Sequence, residues 1–181
     1  MQRLLFTLLI ILIGQTEGLA QQVKLTADKA KSTITYSMKH PLHEWDGVSR
    51  DQQSIVVVEG PDKIIRQVAV RVRLNTFDSK NANRDSHMIE VADGLKFPDI
   101  TFSGNRVEAN GDKLMVTGSL RFHGVAKDIS FEAFRRNEKN TLLVTGAFKV
   151  KMSEFGIEPP SLLGLATTDE FNVSFSMVYP Y

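Results

Sequence analysis

Apolar and polar residues alternate with a two-residue beat over most of the chain after residue 30. Val68, Val70, Val72 and Leu74 interleave with Ala69, Arg71 and Arg73, and Val116, Gly118, Leu120 and Phe122 interleave with Thr117, Ser119 and Arg121. The same beat runs through Ile129, Phe131 and Ala133, through Leu142, Val144, Gly146, Phe148 and Val150, and through Phe171, Val173, Phe175, Met177 and Tyr179. Successive side chains of an extended strand point to opposite faces, so this beat predicts half-buried antiparallel strands. Eight are expected: Ser32 to His40, Gln53 to Glu59, Ile65 to Phe77, from Ile100 to the turn at Asn110-Gly111-Asp112, Lys113 to Phe122, Lys127 to Arg136, Thr141 to Met152, and Glu170 to Tyr179. In the first, Ile34, Tyr36 and Met38 share a face, and Pro41 stops it because proline donates no hydrogen bond to a ladder. One helix is expected between Ser79 and Asp93, capped by Asn81 or Asn83, with Met88, Ile89 and Val91 or Ala92 towards the sheet. Many strands with one short helix make an all-β sandwich or barrel. A small closed barrel is either packed with side chains or open to one small apolar ligand.

Residues 1–20 are of another kind. Arg3 precedes the apolar run Leu4 to Ile13, and Gly18-Leu19-Ala20 supplies small residues suited to signal-peptidase cleavage. The apolar run is shorter than the roughly 20 residues a spanning helix needs, so a secretory signal peptide is expected over 1–20 and one exported domain over 21–181. That leaves 181 − 20 = 161 residues, enough for a single sizeable core. With no cysteine, disulfide staples, thiolate chemistry and cysteine metal sites are excluded. Arg3 and Glu17 leave together, so the net charge stays +1 and gives no electrostatic reason to bind nucleic acid.

Motifs spread along the chain carry a resemblance. Asn83-Arg84-Asp85-Ser86-His87-Met88, Phe97-Pro98-Asp99-Ile100-Thr101-Phe102-Ser103-Gly104, the hairpin Gly118 to Lys127, Ser153-Glu154-Phe155-Gly156-Ile157, and Ser32-Thr33-Ile34 with His40 follow in the order seen in the YceI-like family of bacterial exported proteins. The resemblance implies an eight-stranded antiparallel lipocalin-like β-barrel with a helical segment, exported to the periplasm, in a family whose characterised members carry a polyisoprenoid in the barrel. One segment departs from many relatives: Pro41-Leu42-His43-Glu44-Trp45-Asp46-Gly47 replaces a short stretch containing glycine and phenylalanine.

Within a closing barrel the inward face would hold Val70, Val72, Leu74, Phe102, Leu120, Phe122, Phe131, Phe148, Val150, Val173 and Phe175. Either these residues fill the interior or they line a site for an apolar tail. His40, His43, Trp45 and Arg84 are the candidates for the barrel mouth, where they would meet a quinone oxygen or a phosphate. Two histidines at this spacing are too few for a transition-metal site, so no metal and no cofactor are expected. Asp85 also reads as favoured by the dipole at the helix start, Arg84 as pairing with a carboxylate elsewhere in a salt bridge that pins the helix across the barrel end, and Glu158-Pro159-Pro160-Ser161-Leu162-Leu163-Gly164 as a stiff lid whose leucines touch the ligand or as a plain connection. Arg71 with Arg73 and Lys149 with Lys151 read as solvated outer faces.

No G-x-S-x-G, S-x-x-K, H-E-x-x-H or G-x-G-x-x-G motif is present. The expectation is therefore a carrier, not an enzyme, for a quinone or polyprenyl phosphate, in lipid transport or stress response. A packed interaction module and a small lipid-modifying enzyme stand as alternatives. The partner expected is the lipid itself, with no nucleic acid; transient membrane contact and the oligomeric state, a homodimer included, are left open.

Overall fold

A computed structural model describes residues 21–181 apart from Leu163 and the side chain of Leu162. The expected signal peptide and the proposed ligand contacts of Leu162 and Leu163 lie outside the described residues. The strands are β1 (Gln22–Thr26), β2 (Thr33–His40), β3 (His43–Ser49), β4 (Gln53–Glu59), β5 (Ile64–Arg73), β6 (Asp99–Asn110), β7 (Lys113–Phe122), β8 (Val125–Glu138), β9 (Thr141–Lys151), β10 (Ser161–Leu162), β11 (Leu165–Ala166) and β12 (Glu170–Pro180). The helix α1 covers Ala82–Val91. Ten strands form one antiparallel sheet in the order β1-β4-β5-β6-β7-β8-β9-β12-β2-β3, and β10 pairs only with β11.

The sheet therefore holds ten strands rather than eight, the additions being β1 and β3. β1 carries only Val23 and Leu25 as apolar residues, too few for a periodic signal. In β3 the residues that alternate inward are Trp45, Gly47 and Ser49, so the beat is present without its hydrophobic marking. Pro41 ends β2 as expected, but the chain returns through a two-residue connection, and His40 pairs directly with His43.

Curling brings the sheet's ends together. Beyond β1, Ala27 N–H donates to Ser54 O and Asp28 N–H to Val178 O, each at 2.8 Å. The Tyr179 and Ser54 hydroxyls meet at 2.7 Å in a buried contact, tying β12 to β4. The free edge of β3 is held by reciprocal bonds between Val48 and Asp78, at 3.1 and 3.0 Å. One end of the barrel is densely packed: Leu114, Ala133, Leu142, Val58 and Tyr179 are each at most 1% exposed. Further along the strands, the inward residues Val70, Phe131, Phe148, Phe171, Val173 and Phe175 are only half-buried, whereas Val72, Phe122 and Val150 are buried again. Folding left these side chains without enough neighbours to cover them, and they mark the site.

Candidate functional site

The half-buried side chains surround a cavity of about 230 Å³. All eleven inward-facing apolar residues named from the alternation line it, and α1 adds Met88, Val91 and Ala92. Four aromatic side chains are packed together: Phe131 stacks on Phe148 with ring centroids 4.7 Å apart, and meets Phe102 at 5.4 Å and Phe175 at 5.9 Å. Such a surface offers dispersion and desolvation to an apolar chain and little that would fix its direction.

Direction comes from one polar corner. In register, Phe148, Val173, Tyr36 and Gly47 form a row across β9, β12, β2 and β3. A Cβ at Gly47 would lie 2.7 Å from the Tyr36 hydroxyl oxygen and closer still to its ring, so only glycine lets this ring lie across β3. Trp45, paired with Met38, also lines the cavity. The Tyr36 hydroxyl and the Trp45 indole nitrogen are both buried without a hydrogen-bond partner among the described residues. Burial pushes the Tyr36 phenol above its usual range. The Trp45 N–H, near the phenol oxygen without reaching hydrogen-bond geometry, pulls the other way; Asp85 and Asp46 raise it further and Arg84 lowers it.

Arg84 completes the corner. Asn81 caps α1 by accepting Arg84 N–H at 3.1 Å, which sets the first turn of the helix. The guanidinium donates from Nε to Ser79 Oγ and from Nη2 to Ser79 O, both at 2.9 Å. It lies over the Trp45 ring, 5.1 Å from the centroid. Asp85 is turned to Ser79, accepting its N–H at 3.1 Å and its hydroxyl at 2.5 Å. The salt bridge expected from Arg84 to a carboxylate elsewhere is thus absent: Ser79 engages the guanidinium, and Arg84 has no carboxylate within 4.0 Å among the described residues.

His40 and His43 do not line the cavity, which corrects their placement at its mouth. His40 is 3% exposed and is consumed by the fold: Nε2–H donates to Leu165 O at 3.0 Å and Nδ1 accepts Leu42 N–H at 3.2 Å. His43 is exposed and stacks on Trp45 at 5.0 Å, buttressing that ring. His87, one turn along α1 from Arg84, lines the cavity in their stead. Tyr36 is the residue that sequence reasoning passed over, although its place on the Ile34 and Met38 face was a usable signal. Among the described residues no three His, Asp or Glu side chains gather as a metal site. The outer pairs are solvated as expected: Arg71 bonds Asp99 at 2.9 Å and Lys149 bonds Glu170 at 2.7 Å.

The barrel wall has a window. β8 and β9 pair from Glu138–Thr141 up to Ala133–Gly146 and no further among the described residues, although both strands continue. Outward residues Ser130, Glu132, Ala147 and Lys149 and inward residues Ile129, Phe131 and Phe148 line the resulting cleft. At the top the gap is bridged where His123 Nδ1–H donates to Phe155 O at 2.9 Å. The Phe131–Phe148 stack lines both the cleft and the inner cavity, and so separates the two.

A model of the YceI-like domain matches residues 25–179. The chain is 28% identical over 131 residues to Protein YceI of Salmonella newport (strain SL254), which covers 71% of this chain and 69% of that protein. BcnA of Burkholderia cenocepacia is similar in structure with a TM-score of 0.76 at 21% identity, over 84% of this chain and 98% of its own. A polyisoprenoid binding domain from Saccharophagus degradans, implicated in plant cell wall breakdown, has a TM-score of 0.68 at 14% identity, over 88% and 99% of the two chains. The YCEI protein of Campylobacter jejuni has a TM-score of 0.64 at 22% identity, over 75% and 84%. These likenesses place the curled sheet and its helix in the YceI and lipocalin-like class of folds.

Proposed function

The chain belongs to the YceI-like family, and we propose that it is a periplasmic carrier that holds the tail of an isoprenoid lipid, a quinone or a polyprenyl phosphate, inside its barrel. The observation that carries this reading is the aromatic-lined cavity inside the barrel, floored by the densely packed Leu114, Ala133 and Tyr179. A packed interaction module would show the same dense filling throughout. The polyisoprenoid binding named for the Saccharophagus degradans neighbour agrees with such an interior. The leader-like composition of residues 1–20 supports export.

The mechanism is equilibrium binding. Each tail methylene removed from water contributes about 0.8 kcal/mol. Roughly 15 buried carbons then give about 12 kcal/mol, which outweighs an association cost of about 4 kcal/mol and leaves micromolar affinity. The tail needs no polar partner; Trp45 and Arg84 face the head group, and the window offers the tail a lateral route past Phe131 and Phe148. The test is native mass spectrometry of the mature protein from its own cell envelope, with organic extraction of anything bound. A stoichiometric isoprenoid is the expected result. An empty protein that also refuses added quinones and polyprenols would overturn the carrier reading in favour of the interaction module.

A further inference from the structure

Lys151 and Glu170 face each other in register, so a tight turn would suffice to join β9 to β12. The chain instead runs out over residues 152–169 and returns. Its ends are pinched together: Met152 N–H donates to Asp169 O at 3.0 Å, and the Asp169 carboxylate accepts the Ser153 N–H at 2.8 Å and the Ser153 hydroxyl at 2.6 Å. A long excursion closed at its base is an Ω-loop, a kind of segment that often carries function. Ile157 and Pro160 line the cavity, so this loop covers part of the barrel's interior.

Beyond Pro160 little holds the loop in place. β10 and β11 are two residues each and pair only with one another, far short of a hairpin that is stable alone. Among the described residues one hydrogen bond ties this hairpin to the barrel, from His40 Nε2 to Leu165 O at 3.0 Å. Thr168 N–H donates to Lys39 O at 3.0 Å where the loop returns. The tautomer follows from the other ring nitrogen. Leu42 N–H donates to Nδ1, so Nδ1 is bare and the proton sits on Nε2, where it reaches Leu165.

A second proton on this ring has no place to go. It would stand on Nδ1 and face the Leu42 N–H, donor against donor. The charge would lie on a side chain that is 3% exposed, with no carboxylate within 4.0 Å among the described residues. Neighbouring groups bring no relief. The His43 ring is 5.2 Å away, and Arg84 lies over the Trp45 ring on which His43 stacks. Lys39 is paired with Glu44 and Lys149 with Glu170, Asp169 is turned to Ser153, and Glu158 is exposed. An unpartnered buried charge is relieved by moving into water, which takes the ring off Leu165 O.

We propose that residues 158–168 form a strap over the barrel, latched by neutral His40 and released when that ring takes a second proton. Resting on the carrier reading above, release of the strap in acidic medium speeds the exchange of the bound lipid. The base of the loop stays closed meanwhile, because the Ser153 hydroxyl and N–H hold the Asp169 carboxyl below its usual range.

Hydrogen exchange read by mass spectrometry on the ligand-free mature protein, at about pH 7.5 and about pH 5.5, brackets the ordinary imidazole value of about 6.5. With rates corrected for the intrinsic pH dependence of amide exchange, residues 158–168 should lose protection roughly fivefold or more at the lower pH while β5, β6 and β7 keep theirs. Release of menaquinone-4, whose head group is neutral at both values, into excess phosphatidylcholine vesicles should quicken by a similar factor. Trp45 is the only tryptophan of the chain, and its fluorescence reports that release as a rate, which a change of amplitude from His43 does not alter. His40→Gln keeps a neutral N–H for Leu165 O and should stay slow at both pH values. His40→Asn keeps an acceptor for Leu42 N–H but is too short for Leu165, and should be fast at both. Equal protection of the wild-type strap at the two pH values, or a His40→Gln protein that keeps the wild-type acceleration, would overturn the latch. A strap that opens while release stays unchanged would overturn its part in exchange. Failure of the wild-type protein to bind menaquinone-4 would count against the carrier reading instead, and hydrogen exchange would still decide the latch.

Discussion

Replacing Val173 with phenylalanine should empty the barrel of its ligand without unfolding it. Val173 sits in the register row between Phe148 and Tyr36, half-buried and lining the cavity. The new ring adds four carbons to a space of about 230 Å³, so it displaces about that many tail carbons. At about 0.8 kcal/mol per methylene the lost contact is roughly 3 kcal/mol, close to 200-fold in affinity. Wild-type protein with ligand at 100 times its dissociation constant gains about 2.7 kcal/mol, a rise of roughly 5–11 °C in melting temperature for a domain of this size. At the same ligand concentration the variant should gain only about 0.2 kcal/mol, a shift of less than about 1 °C. The ligand-free melt should stay near wild type, because the burial gained offsets a packing strain of about 1–3 kcal/mol. Thermal melts with and without geranylgeranyl phosphate measure both quantities. A folded Val173→Phe protein whose ligand-induced shift matches wild type would refute the assignment of the tail to this cavity.

Gly47→Ala forces its Cβ into the Tyr36 ring; urea unfolding should show a loss of about 1–3 kcal/mol, and an unchanged midpoint would contradict the close approach. Tyr179→Phe leaves Ser54 Oγ without its 2.7 Å partner and should cost about 1–3 kcal/mol at neutral pH. Burial pushes the Tyr179 phenol up to about 12, against the smaller opposing pull of the Ser54 hydrogen bond. Between its usual value of about 10 and about 12 the unfolded chain releases a proton that the folded chain keeps. The contribution is therefore complete below pH 10 and is lost as pH rises, at about 1.4 kcal/mol per pH unit. Denaturant titrations should find this alkaline slope shallower in Tyr179→Phe, and an identical slope would mean the phenol ionises freely in the fold. Phe131→Ala removes the stack that separates the window from the cavity, an interaction of about 0.5–1.5 kcal/mol. Stopped-flow Trp45 fluorescence should show ligand exchange about two- to tenfold faster, while unchanged rates would place the tail's route at the barrel end beneath α1.

Alternation along the chain determined which elements form and which side chains turn inward. Val70, Phe102, Phe148 and Val173 were assigned to the interior from spacing alone, because a strand's two faces differ in solvent exposure and the sequence must record that difference. The helix was legible for a comparable reason: Asn81 caps it through a local bond to Arg84 N–H. Periodicity is silent where the inward residues are not apolar, and so β3, with Trp45, Gly47 and Ser49 inside, went unseen. Spacing also says nothing about what a residue meets across the barrel. Only the tertiary structure turned His40 onto Leu165 O, gave Arg84 to Ser79 instead of a carboxylate, and left the Tyr36 hydroxyl buried over Gly47 without a partner. It alone parted β8 from β9 above Ala133 and Gly146. These features follow from register and closure, which depend on how ten strands settle against one another, whereas each strand's own sequence records only which of its faces meets water.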